Sequence, residues 1–272
     1  MTVLACIVIT AGCANFEKQS MPSLVPDRLP GYLASDTLLN SEALIPPPPA
    51  AGSSALALDY DISRNSLTLR NSPRWTLAAE DADLMFPRAA GIFSCALNAP
   101  ITEQDTPHLY MLMRRTLADV SLSSSKVKNK YMRTRPFVVN KEHTCSPNDE
   151  QSLMKNGSYP SVHSAIGWAW ALILSEISPE QADAILARGR AFGQSRVICN
   201  VHWQSDVIEG RFMGAATVAR LHADPVFRAD LESAKTEFAA VRAKGLKPTR
   251  DCKAEADALA QYPQLAPWPA NK

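Results

Sequence analysis

The stretch AIGWAWALILSEI, residues 165–177, constrains the fold more than any other part of the chain. It is too short to cross a bilayer, which needs about 20 apolar residues, and it runs out into Ser175 and Glu176. A short segment that is apolar on nearly every face reads as a helix buried in a soluble core, with Trp168 and Trp170 among its packing residues. Other helices must then cover it, and their signals recur. Ser72-Pro73 opens a helix through Trp75, Leu77, Ala78 and Ala82. Thr106-Pro107 opens another with Leu109, Leu112, Met113, Leu117 and Val120 on one stripe. Ser178-Pro179-Glu180 opens a third, carrying Ala182, Ile185, Leu186 and Gly189. Residues 206–221 and 225–242 are also helical in pattern, and strand alternation is nearly absent. The expectation is an all-α fold, a single helical-bundle domain over residues 53–247. A Pro-rich extended arm (21–52, with PPPP at 46–49) should lie over the surface and outside the core, and a tail (248–272) should follow.

The 28 basic and 27 acidic residues nearly balance, so the chain lacks the basic field of a nucleic-acid binder. Residues 1–20, MTVLACIVITAGCANFEKQS, resemble a leader, with a short apolar run and Thr10-Ala-Gly-Cys13 in the place of a lipoprotein box. Thr10 stands where Leu is usual, and no Lys or Arg precedes the apolar run. The expectation is a periplasmic or secreted protein, its leader removed by ordinary cleavage or its chain anchored through a lipid on Cys13. In an oxidising compartment Cys95, Cys145, Cys199 and Cys252 allow three complete pairings, among which the sequence does not choose. There is no CxxC and no Cys/His cluster of zinc spacing, so no metal is expected.

Three segments carry groups suited to anions and protons. In KNKYMRTRP, residues 128–136, Lys128 and Arg135 stand almost two helical turns apart, so both would share a helical face, and Pro136 marks the helix end. In GSYPSVHS, residues 157–164, Ser161 suits a helix N-cap. The free N–H groups behind it form an anion site that includes His163. In SRVICNVHWQSD, residues 195–206, His202 and Asp206 are spaced to meet on one helix. Asp206 would then orient the His202 ring, and Arg196 adds a planar cation. Together these are the parts of phosphoryl transfer: cations and N–H donors for the equatorial oxygens, and a histidine for each axial position. Trp203 would wall the pocket. His108, His143 and His222 read as structural or surface residues, and Glu80, Asp81 and Asp83 as a solvated face.

The order KxxxxxxRP, PSxH, SRxxxxxHxxxD resembles the type 2 phosphatidic acid phosphatase superfamily, which also contains the vanadium haloperoxidases. The stretches IPPPPAAGS, PHLYMLMRR, YMRTRPF, KNGSYPSVHSAIGWA and SRVICNVHWQSDV are similar to the bacterial class A nonspecific acid phosphatases. The resemblance covers residues 43–239. It implies a metal-independent acid phosphatase acting on a broad range of phosphate monoesters through a phosphohistidine, with no cofactor and with possible transfer of the phosphoryl group to alcohols. His202 would be the nucleophile, Asp206 its orienting carboxylate, and His163 the acid and then base. Lys128, Arg135, Ser161, Val162 and Arg196 would bind the phosphate. The resemblance also implies a homodimer or larger assembly, for which the amphipathic face of 226–241 is a candidate. Val162 replaces the family glycine. It would supply the same N–H only at negative φ, and its methyls would narrow the pocket and change substrate range. Assay of Val162→Gly over several substrates tests this, and unchanged kinetics would remove the idea. The alternatives are a haloperoxidase-like vanadate enzyme and a catalytically weak phosphate-binding protein. The class A stretches weigh against the first, and the presence of both histidines against the second.

Overall fold

The computed structural model describes residues 29–261, and among them the chain forms helices and no strand. In order these are α1 (Ser41–Leu44), α2 (Ser54–Ser66), α3 (Pro73–Glu80), α4 (Ser94–Leu97), α5 (Pro107–Ser123), α6 (Ser125–Tyr131), α7 (Pro136–Asn140), α8 (Glu150–Leu153), α9 (Val162–Ile177), α10 (Ala182–Ile198), α11 (Gln204–Leu221), α12 (Pro225–Ala243) and α13 (Cys252–Ala260). None of them is long and apolar enough to cross a membrane. The expected leader lies outside the described residues.

The apolar stretch became the central helix, α9. Its Ala165, Ile166, Trp170, Ile173 and Leu174 are buried, and full burial of such aliphatic side chains stabilises by about 1.5–3 kcal/mol each. Helices α10 and α11 pack most extensively on it, α5 takes a further side, and α12 backs α5. Trp170 tolerates burial because its indole N–H donates to the Met113 carbonyl at 3.1 Å. The α9–α11 contact is close enough to require glycine. A Cβ at Gly210 would stand 2.4 Å from the Ser161 carbonyl oxygen, and one at Gly214 would stand 2.4 Å from that of Ala165.

The helix starts read from the sequence hold. Ser72 Oγ accepts the Trp75 N–H at 3.2 Å, and the α5 stripe from Leu109 to Val120 faces the core. Pro179 opens a short 3-10 turn that runs into α10. Asp224 caps α12 by accepting the Val226 and Phe227 N–H groups, both at 2.9 Å.

Four expectations need correction. The described part of the arm is not confined to the surface: Leu33 and Ile45 join the core. The Tyr32 and Leu33 N–H groups donate to the buried Asp119 carboxylate at 3.0 and 2.9 Å. The tail is not peripheral either, because its residues build α13, which packs on α3. The apolar face of α12 (Phe227, Leu231, Ala234, Phe238, Val241) is already buried in the core, so it is not free for a partner. Asp81 is fully buried rather than solvated. The open question of pairing is answered by disulfides Cys95–Cys252 and Cys145–Cys199.

Candidate active site

Helix α10 ends at Ile198, and Asn200 turns the chain with a left-handed φ of 61°. Asparagine tolerates that region better than most residues, and its side-chain amide is held by Asn140 and the Glu142 carbonyl. His202 therefore stands in the link before α11, not on a helix. Its meeting with Asp206 is real but follows a different route from the one expected. Asp206 lies in the first turn of α11 and reaches back. Its Oδ2 accepts the Trp203 N–H at 2.9 Å and sits 3.3 Å from His202 Nδ1.

Lys128 and Arg135 do not share a helical face. α6 stops at Tyr131, Met132 is left-handed (φ 42°), and Arg135 is the extended residue before α7. The Arg135 guanidinium sits among backbone carbonyls: Nε donates to Leu153 (3.0 Å), Nη1 to Val201 (2.9 Å) and Nη2 to Gly157 (3.0 Å). It also donates to the Asn156 side chain. Its Nη1 stands 3.2 Å from His202 Nε2. A guanidinium can only donate, so this contact makes Nε2 the acceptor and places the ring proton on Nδ1, toward Asp206. The His202 lone pair thus points at the cation.

Burial, then the charges of Arg135, Lys128 and Arg196, hold His202 well below the ordinary histidine range. Burial raises the Asp206 carboxyl, with Arg133 opposing it. Burial and Arg135 pull the Lys128 ammonium down to about 7. Burial lowers Arg196 to about 10, with Asp81 opposing. The Nε and Nη1 groups of Arg196 are buried and hydrogen-bond to no other described residue. A buried cation with idle donors is costly unless an anion completes it.

The loop before α9 ends in a capped helix start. Ser161 Oγ accepts the Ser164 N–H at 3.3 Å, and the first intrahelical bond runs from Ala165 N to the Ser161 carbonyl at 3.0 Å. The N–H groups of Val162 and His163 precede that bond and form the anion-binding end of the helix. Val162 is not among the residues of positive φ. As the first residue of α9 it adopts helical backbone without strain. His163 Nε2 donates to the Ala82 carbonyl at 3.0 Å, and the ring stacks near Phe192. That bond places the proton of the neutral ring on Nε2 and leaves Nδ1 the unprotonated nitrogen. Burial, then Arg196, pushes His163 well below its usual value too.

Two acidic residues and an arginine escaped the sequence reading. Arg133 donates through Nη1 to Asp206 Oδ1 (2.6 Å) and Ser205 Oγ (2.7 Å), and through Nη2 to the buried Asp59 Oδ2 (2.8 Å). It lies over the Trp203 ring, whose N–H donates to the Thr134 carbonyl at 2.8 Å. Trp203 is buried behind the site in this way. Asp81 holds Arg188 with both oxygens (2.6 and 3.1 Å) and accepts the Ser195 hydroxyl at 2.6 Å. Arg133 carried a signal, since it lies inside the KxxxxxxRP segment, whereas Asp59 and Asp81 had none. His143 is exposed, and His222 pairs with Glu176 at 2.9 Å on the surface. Among the described residues no three His, Cys, Asp or Glu side chains cluster to hold a metal ion.

Residues 108–229, which include Lys128, His163, His202 and Asp206, match the PAP2 superfamily. A non-specific acid phosphatase of Providencia stuartii is 47% identical over 212 residues, which cover 78% of this chain and 86% of its own. One from Salmonella typhimurium is 44% identical over 201 residues, 74% of this chain and 80% of its own. An acid phosphatase of Zymomonas mobilis is 39% identical over 217 residues, 80% and 81%. With Lys128, Arg135 and Arg196 gathered around His202, and with relatives this similar over most of its length, the chain belongs to the non-specific acid phosphatases of the PAP2 superfamily.

Proposed function

We propose that this chain hydrolyses a broad range of phosphate monoesters through a phosphohistidine on His202, without a metal ion. The observation that carries the reading is the His202 ring. Its Nδ1–H is directed at buried Asp206 and its Nε2 lone pair lies beside Arg135, with the idle N–H groups of Arg196 close enough to act on its charge. Phosphate oxygens would take up Arg135, Arg196, Lys128, Ser161 and the N–H groups of Val162 and His163. Drawing Arg135 onto an oxygen frees Nε2, which attacks phosphorus as the ester P–O bond breaks. His163, charged once the phosphate dianion is bound, gives its Nδ1 proton to the departing alcohol and keeps its Nε2–H on the Ala82 carbonyl. Asp206 stabilises the phosphorylated ring. Water then gives its proton to His163 and attacks phosphorus, the N–P bond breaks, and phosphate leaves. An alcohol in place of water would yield transphosphorylation. Each charged donor lost should cost on the order of a hundredfold or more in rate.

Export forms part of the same reading, and the two disulfides support it, since such bonds persist in oxidising compartments. Assembly into a homodimer would have to use a surface other than the apolar stripe of α12. The direct test is hydrolysis of 4-nitrophenyl phosphate from pH 4 to 8 in excess EDTA, with His202→Ala as control. Acid-peaked, EDTA-resistant activity that vanishes in the variant is the expected result. Loss of activity in EDTA, or activity that persists in the variant, would remove the mechanism.

A further inference from the structure

We propose that the dipeptide Asp81-Ala82, at the end of α3, is a positioning element that sets both the leaving-group histidine and the phosphate-binding end of α10. The inference rests on the phosphohistidine reading above and goes beyond it, because it brings in residues outside the three motifs. Two adjacent residues hold two separate parts of the site. The Ala82 carbonyl accepts from His163 Nε2 at 3.0 Å. The Asp81 carboxylate accepts from Ser195 Oγ at 2.6 Å, one residue before Arg196, and grips Arg188 on the same helix at 2.6 and 3.1 Å. Ser195 also accepts from Arg74 of α3 at 3.0 Å. Asp81, Ser195, Arg188 and Arg196 are all essentially buried, so the network is rigid and water does not compete for it.

Each arm has a chemical consequence. The Ala82 carbonyl does for His163 what Asp206 does for His202. It fixes the tautomer with hydrogen on Nε2, directs Nδ1 to the substrate, and stabilises the charged ring that must protonate the alcohol. The carboxylate arm fixes where the last turn of α10 places Arg196. The carbonyl is backbone, so its position depends on Asp81 remaining in place. Asp81 touches neither substrate nor reacting atoms and acts only through these neighbours.

The test separates positioning from mere stability through the leaving group. A general acid matters most when the alcohol departs poorly and little when it departs well. Measured as kcat/KM, which reports formation of the phosphoenzyme, Asp81→Asn should lower activity on an alkyl phosphate by roughly a hundredfold. For 4-nitrophenyl phosphate the loss should be about tenfold or less. Equal losses on both substrates, with only a lower melting temperature, would make Asp81 a structural residue and overturn the proposal. Ser195→Ala is the second variant and decides the matter if Asp81→Asn does not fold. It removes the Ser195 bonds to Asp81 and Arg74 and leaves both the Asp81–Arg188 pair and the Ala82 arm in place. It should weaken inhibition by inorganic phosphate about tenfold while leaving the ratio between the two substrates unchanged. Unchanged inhibition would overturn the proposal as well. Parent activity that survives His202→Ala would instead remove the underlying reading and is scored separately.

Discussion

Arg133 is the largest of the influences that hold buried Asp206 as an anion. Asp206 is fully buried, Asp59 is 2% exposed, and one guanidinium binds both. Removing a partner from a buried pair leaves an uncompensated charge, which typically costs about 3–5 kcal/mol. Arg133→Met should therefore lower unfolding free energy by about that much in a urea titration. It should also reduce kcat by about 10–100-fold, the usual effect of losing a group that orients a site residue. Arg133→Lys should recover little of either, because a lysine cannot present two parallel donors. A Met variant as stable and active as the parent would sink this account. The three site bases give a second prediction. Lys128 is lowered to about 7, and His163 and His202 lie well below their ordinary value. For folding, the unfolded chain binds protons that the folded site refuses. Their contribution to stability is therefore lost as pH falls below about 10.5 for Lys128 and below about 6.5 for the histidines. Bound phosphate dianion favours the charged forms and reverses this. At about pH 8.5, where phosphate is already a dianion, binding should take up close to one proton through Lys128. Calorimetry in buffers of different ionisation heat measures that number, and net proton release would contradict it.

At the scale of elements, the turn from α10 to α11 carries His202, and a disulfide holds it. Cys199 lies between Arg196 and His202, and Cys145 is 54 residues away in sequence. The Cys145 N–H also donates to the Cys199 carbonyl at 3.3 Å. Closing a loop of that length is worth roughly 4 kcal/mol in the chain-entropy account. The double variant Cys145→Ser/Cys199→Ser should melt about 8–16 °C lower, and phosphate should protect it less than it protects the parent. A melting point within a couple of degrees of the parent's would refute this. The legibility of these elements has a physical pattern. The apolar run of α9, the Pro-marked helix starts and the α5 stripe were readable because local sequence encodes periodicity and capping. The candidate site residues stand in three compact motifs, which is why the sequence singles them out. Their routes were misjudged wherever a left-handed residue breaks the helix, at Met132 and Asn200. Neither is a glycine, so neither stands out as a helix breaker. Arg133 and Asp81 gain their roles only from partners on other helices, and periodicity does not report distant contacts.

At the scale of the whole molecule, the segment after Pro248 is tied to the rest of the fold. Apart from Cys252, the sequence there carries no local mark of core packing. Yet α13 packs on α3, Cys252 is joined to Cys95, and Glu255 pairs with the buried Arg188 at 3.3 Å. Arg188 in turn holds Asp81, so the C-terminal helix reaches the site through one buried chain of charges. A truncation after Lys247 would open this arrangement. It would leave Arg188 with one carboxylate instead of two, expose the α3 face, and free a disulfide that spans 157 residues, worth up to about 5 kcal/mol in the chain-entropy account. The truncated chain should melt at least 10 °C lower, by about 2–4 °C per kcal/mol lost. It should also lose phosphate protection at temperatures where the remainder is still folded, because Arg188 and Asp81 then shift against α10. A truncated enzyme that keeps its kcat/KM within about twofold and its phosphate protection would show that α13 is a tail in function as well as in sequence, and that the site is complete within residues 29–247.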